Sequence, residues 1–87
     1  MPQNENIVGP TVRELREKKG MTQPQLVAKL NIAGWDLSRG TFSKIEAQIR
    51  RVTDYEILML ADSLGIDAAE LVRLAVKKRI SSKGKAA

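Results

Sequence analysis

Between Ser38 and Glu46 the chain reads SRGTFSKIE, a stretch in which short and cationic residues stand opposite an apolar pair. Phe42 and Ile45 are three apart, the spacing of one buried helical stripe. Arg39, Gly40, Thr41, Ser43 and Lys44 fall on the other side, a set of hydroxyls and cations around a glycine. Ser38 suits an N-cap, its hydroxyl accepting from an otherwise orphan amide of the first turn. Gly40 then needs a reason, since glycine inside a helix costs about 1 kcal/mol relative to alanine.

Catalytic chemistry finds little material. Histidine and cysteine are both absent, which removes Ser-His and Cys-His nucleophile pairs, thiolate metal sites and most zinc geometries. No paired carboxylates suggest a cleft. The expectation is a protein that is not an enzyme and carries no metal or cofactor. The lack of cysteine fits a reducing, cytoplasmic setting; the polar start MPQNEN has no signal-peptide core, and no apolar run approaches the roughly 20 residues of a membrane span.

The net charge of +5 in 87 residues is unevenly spread. Residues 1–53 hold nine Lys/Arg against five Asp/Glu, residues 54–72 hold five acids and no base, and residues 73–87 hold six bases and no acid. Up to Val76 the chain is neutral, so the whole excess sits in the tail KKRISSKGKAA. Such a tail is either a solvated end or an arm that touches a nucleic-acid backbone.

Five short helices position these residues. Thr11-x-x-Glu14, Thr22-x-x-Gln25, Thr53-x-x-Glu56 and Asp67-x-x-Glu70 each have the form of a capping box ahead of an apolar-periodic run. Gly20, Gly34 and Gly65 stand where helices should end. The pattern predicts helices over Pro10–Lys19, Gln23–Ala33, Ser38–Glu46, Asp54–Leu64 and Ala68–Lys78, with Val12, Leu15, Leu26, Val27, Leu30, Leu71, Val72 and Ala75 inward. Strand-like alternation is missing. Residues 1–9 are expected to be a disordered N-terminus, 10–78 one all-α domain, and 79–87 a flexible basic tail.

Lys19-Gly20-Met21-Thr22-Gln23, followed by Leu26, Leu30 and Ile45-Glu46, resembles the helix-turn-helix domain of the phage-repressor and Cro class. The resemblance runs from Val12 to Leu71 and implies a compact five-helix, lambda-repressor-like fold. One departure stands out. Asn31-Ile32-Ala33-Gly34 intervenes where members usually turn at once, so the second helix gains a turn before Gly34. Leu37 should then fill a core position, and Trp35 should fold back on the second helix or contact DNA or a partner.

The resemblance also implies functions. The helix from Ser38 to Glu46 would lie in the major groove of double-stranded DNA with its N-terminal residues on base edges. Gly40 and Thr41 would permit close approach, and Arg39 and Lys44 would reach guanine O6 and N7. Gln23 matches a phosphate clamp at a helix N-terminus, Thr41 and Ser43 match phosphate or base partners, and Arg50 and Arg51 match a loop on the DNA backbone. Arg16 and Glu46 match a partly buried ion pair. The reading is a sequence-specific transcription regulator, repressor-like and homodimeric on a two-fold operator. The 54–72 region and the last helix would supply the dimer surface, with Tyr55, Met59 or Leu74 as anchors. The alternative is a protein-interaction module, such as the antitoxin of a toxin–antitoxin pair.

Overall fold

The structure, a computed structural model, describes residues 4–86, with side chains up to Ser81. Five α-helices follow one another: α1 Gly9–Lys18, α2 Gln23–Ile32, α3 Arg39–Glu46, α4 Asp54–Ser63 and α5 Ala68–Ala86. The described residues contain no strand. α1 and α2 both pack on α3, α4 packs on α2, and α5 closes the arrangement against α1 and α4. At the centre Phe42, Leu26, Leu30, Ile45, Leu60, Leu64, Leu71, Val8 and Val12 are fully buried, and Leu37 joins them. This core is aliphatic apart from one phenylalanine, and its non-directional burial is the main stabilising contribution to the fold.

The capping signals divide into kept and lost. The Thr22–Gln25 and Thr53–Glu56 boxes form with both reciprocal bonds, and Ser38 caps α3 through the Thr41 amide. The Thr11–Glu14 box does not form. Instead α1 starts two residues before Thr11, whose buried hydroxyl lacks a hydrogen-bond partner. Val8 at the N-cap makes no side-chain bond; two residues before it, Asn6 meets the Gly9 amide, its Oδ1 accepting at 2.7 Å. In the last tetrad Glu70 pairs with Arg73 one turn on, and among the described residues Asp67 and Glu70 make no reciprocal bond.

The described residues near either end carry structure of their own. Residues 4–9 are not loose. Val8 is in the core, Asn6 is buried, and the Glu5 amide donates to the Gln48 carbonyl at 2.9 Å. A polar composition hid this, because Asn6 gains its partners from residues about forty positions away. At the other end the backbone of 79–86 continues α5 instead of fraying. No proline interrupts the run. Residues 1–3 and Ala87 lie outside the described residues.

The lengthened second helix ends as its glycine implies. Ala33 is the C-cap, Gly34 has φ +106°, and the Trp35 amide donates to the Leu30 carbonyl at 3.0 Å. These are the bonds of a Schellman end. α3 ends the same way without a glycine: Gln48 has φ +65°, and the Ile49 amide donates to the Lys44 carbonyl at 3.0 Å.

Candidate nucleic-acid interface

α3 presents two different surfaces. Phe42, Ile45 and Glu46 are buried, whereas Arg39, Gly40, Ser43 and Lys44 are exposed and Thr41 is half-buried. Among the described residues neither Arg39 nor Lys44 forms an ion pair, so both cations are available to a partner. The Ser38 hydroxyl accepts from the Thr41 amide at 3.1 Å and donates to Thr41 Oγ1 at 3.0 Å. Ser38 is therefore committed to the cap, while the Thr41 hydroxyl keeps its own proton to donate. A Cβ added at Gly40 would meet nothing nearer than Ser38 Oγ at 3.9 Å. Nothing within the chain requires glycine at this position, and the space it leaves faces outward.

Beneath that surface lies a buried charge cluster. Arg16 Nε donates to Glu46 Oε2 at 2.8 Å, its Nη2 to Oε1 at 3.1 Å, and its Nη1 to the Met21 carbonyl at 2.8 Å. The side chains are 9% and 4% exposed. The hydrogen bond to Glu46 raises the Arg16 pKa above its ordinary value against the opposing effect of burial. The sequence pairing is thus present and tight, and it ties α1 to the last turn of α3. Gln23, expected as a phosphate clamp, stands at the first position of α2 and donates its Nε2 to Glu46 Oε1 at 2.8 Å. Its carboxamide serves this cluster.

Arg50 is also engaged. Its Nη1 and Nη2 fork onto Glu56 Oε1 and Oε2 at 3.0 and 3.1 Å, Nη1 donates to the Arg51 carbonyl, and its Cζ lies 5.9 Å from the centroid of the Trp35 ring. The Arg50 hydrogen bonds hold the Glu56 carboxyl below its usual range, aided by the Thr53 amide and opposed by burial. Arg51 points outward, 88% exposed, with only a surface pair to Glu5 at 3.3 Å. Of the two adjacent arginines, only Arg51 stands free enough to meet a phosphate without breaking an internal pair.

Four residues that shape this geometry carried no role in the sequence pattern. Asn6 donates its Nδ2 to the Ile45 and Arg50 carbonyls at 3.0 and 2.8 Å, and Gln48 returns a bond to the Asn6 carbonyl at 2.9 Å. Asn31 donates to the Trp35 and Leu37 carbonyls at 2.8 and 3.1 Å, bracing the connector into α3. Gly9 lies so close to α3 that a Cβ there would run into the Ile45 and Glu46 carbonyl oxygens. An asparagine three residues before a glycine was a readable cap signal for Asn6; Asn31 carried none. Among the described residues no acidic, His or Cys cluster could hold a metal ion, and no helix is long and apolar enough to cross a membrane.

The architecture has a known counterpart. It superposes on the crystal structure of the clp gene regulator ClgR from Corynebacterium glutamicum with a TM-score of 0.82, covering 97% of this chain and 84% of that one. The two share a fold. Sequence identity is 20%, so the match speaks to the all-α architecture and its helix order. No family model matches the chain, and no curated protein matches it by sequence.

Proposed function

We propose that this chain is a sequence-specific, double-stranded DNA-binding regulator of transcription of the helix-turn-helix type, acting without catalysis and with α3 in the major groove. The observation that carries the reading is the outward face of α3. Two unpaired cations flank a glycine whose missing side chain leaves open space, on a helix held firmly from behind. Close approach to base edges needs such a face, and Arg39 and Lys44 have the donors that guanine O6 and N7 accept. Thr41 and Ser43 add hydroxyls, and Arg51, with the backbone N–H of Gln23 at the start of α2, suits the flanking phosphates. The shared fold with a protein named as a gene regulator supports the same reading.

One copy offers few base contacts, so the reading includes a homodimer on half-sites about one helical turn apart. Tyr55 and Leu58, exposed together on the acidic α4, and Val76 with Ile80 on the basic α5 are apolar positions suited to that surface. Met59 and Leu74 are partly buried and fit it less well.

Selection from a random duplex library tests the proposal. A preferred site should emerge, and Arg39→Ala or Lys44→Ala should each lose roughly 1–3 kcal/mol on it while relaxing preference at particular base pairs. Selection that yields no preferred site, or a site bound equally well by both variants, would remove α3 as the reader.

A further inference from the structure

Trp35, Arg50 and Glu56 come from three separate pieces of the chain and meet beside the entry to α3. Trp35 belongs to the connector after α2, Arg50 to the loop after α3, and Glu56 to the first turn of α4. The Arg50 guanidinium spends one edge on both oxygens of Glu56, and the Trp35 ring lies 5.9 Å from its centre. Glu56 Oε1 is fixed in turn by the Thr53 amide at 3.0 Å. Asn31 holds the Trp35 and Leu37 carbonyls. The connector is therefore gripped through its side chain and its backbone just before Ser38 caps α3.

We propose that Trp35, Arg50 and Glu56 form a clamp that sets where α3 begins relative to α4, making Arg50 and Glu56 positioning residues for base recognition and not phosphate contacts. This rests on the DNA-binding reading. The chemistry suits the role. A guanidinium is a planar fork that can meet a carboxylate with two bonds while its face lies on an aromatic ring, whereas an ammonium is a point charge that cannot do both. A carboxylate beside a DNA-facing loop would by itself repel phosphate, so Glu56 aids binding only through what it holds. The irregular connector gives the clamp its purpose, since a non-helical link into a reading helix has conformational freedom to lose unless something fixes it. Base edges discriminate only when the side chains that read them are held in register.

Glu56→Gln and Arg50→Lys separate positioning from charge. Glutamine retains an oxygen for the Thr53 amide, so the α4 cap survives while the ionic fork is lost. If charge alone mattered, Glu56→Gln would tighten binding to every duplex, and Arg50→Lys would leave binding and its salt dependence unchanged. The clamp gives other outcomes. Each variant should bind the selected site about tenfold more weakly, as expected when one bidentate base contact falls out of register, with random-duplex affinity and salt slope unchanged for Arg50→Lys. The double variant should lose little more than either single one. Amide hydrogen exchange without DNA supplies an independent reading: residues 35–41 should exchange faster in both variants while α1 keeps its protection, with circular dichroism confirming that both are folded. Site preference retained in both variants, or unchanged exchange at 35–41, would overturn the clamp. If the unmodified chain prefers no site at all, the DNA-binding reading fails, and the exchange data alone then decide whether the clamp exists.

Discussion

The two ends of α3 are built on opposite plans. Its C-terminal end is gripped from three sides. Arg16 and Gln23 hold Glu46, Asn6 holds the Ile45 carbonyl, and Gly9 brings the start of α1 against the last carbonyls. Its N-terminal end has the Ser38 cap and the braced connector, and around the buried Phe42 the side chains of Arg39, Ser43 and Lys44 face solvent. Anchoring a helix from behind while leaving its outward face bare suits an element that must offer side chains to something outside the molecule. The outward face can carry small and cationic residues because no core contact depends on it.

The largest test of that contrast is at the anchored end. Glu46→Ala leaves the buried Arg16 guanidinium and the Gln23 amide without their acceptor, and should cost about 3 kcal/mol or more in urea unfolding. Arg16→Ala should cost a similar amount, and the double variant less than the sum. Strict additivity would mean that the two groups act independently and that the grip lies elsewhere.

Two glycines sharpen the comparison next. Gly9→Ala places a Cβ against backbone carbonyls that cannot step aside cheaply, and should destabilise by roughly 1–3 kcal/mol. Gly40→Ala puts the same methyl into open space within a helix, and should stabilise by about 0.5–1 kcal/mol while weakening DNA binding. Equal effects on thermal unfolding would erase the distinction between the ends, and unweakened DNA binding by the Gly40 variant would deny that the gap serves a partner.

A smaller effect separates the clamp from the surface. Glu56 has its carboxyl pKa lowered in the fold, chiefly by Arg50. A lowered folded pKa means stability that is present above the unfolded value of about 4.3 and lost as pH falls through the folded one. The stability gap between the native chain and Glu56→Gln should therefore be constant near neutrality and shrink as pH drops below about 4. A gap that grows on acidification would contradict the pairing. The smallest effect belongs to Arg51. Arg51→Ala should change stability by less than about 0.5 kcal/mol, since its pair with Glu5 is exposed, yet lower the salt slope of DNA binding by about one unit. A loss of stability comparable to that of Glu46→Ala would place Arg51 in the scaffold.

Much of this architecture was legible because its signals are local. A Thr-x-x-Gln or Thr-x-x-Glu cap acts within one turn, a glycine at C′ acts on its own φ, and apolar spacing decides which side of a helix turns inward. α2, α3 and α4 started where such signals stood, and Leu37 took the core position the turn requires. The failures also have local causes. Thr11-x-x-Glu14 has the form of a cap but lies inside α1, because Asn6 holds the Gly9 amide and Gly9 lets the helix begin against α3. Gln48 adopts a positive φ that its side chain does not advertise. The exposed face of α3 was readable, whereas the engagement of Gln23 and Arg50 was not, since each is one cation or amide among many until its partner is known.

The amino-acid sequence by itself determined where α2, α3 and α4 begin, which faces are apolar, and which small and cationic residues stand away from the core. These follow from hydrogen bonds and side-chain spacing within a few residues. Only the tertiary structure decided which polar groups are free. Asn6 meets Arg50 across 44 positions, Arg16 meets Glu46 across 30, and Trp35 lies beside Arg50 only when two loops converge. Whether a charge is spent inside the molecule or left for a partner depends on such long-range geometry. Burial makes an unpaired polar group costly, so the fold satisfies Arg16, Glu46 and Asn6 within itself and leaves Arg39 and Lys44 facing the solvent.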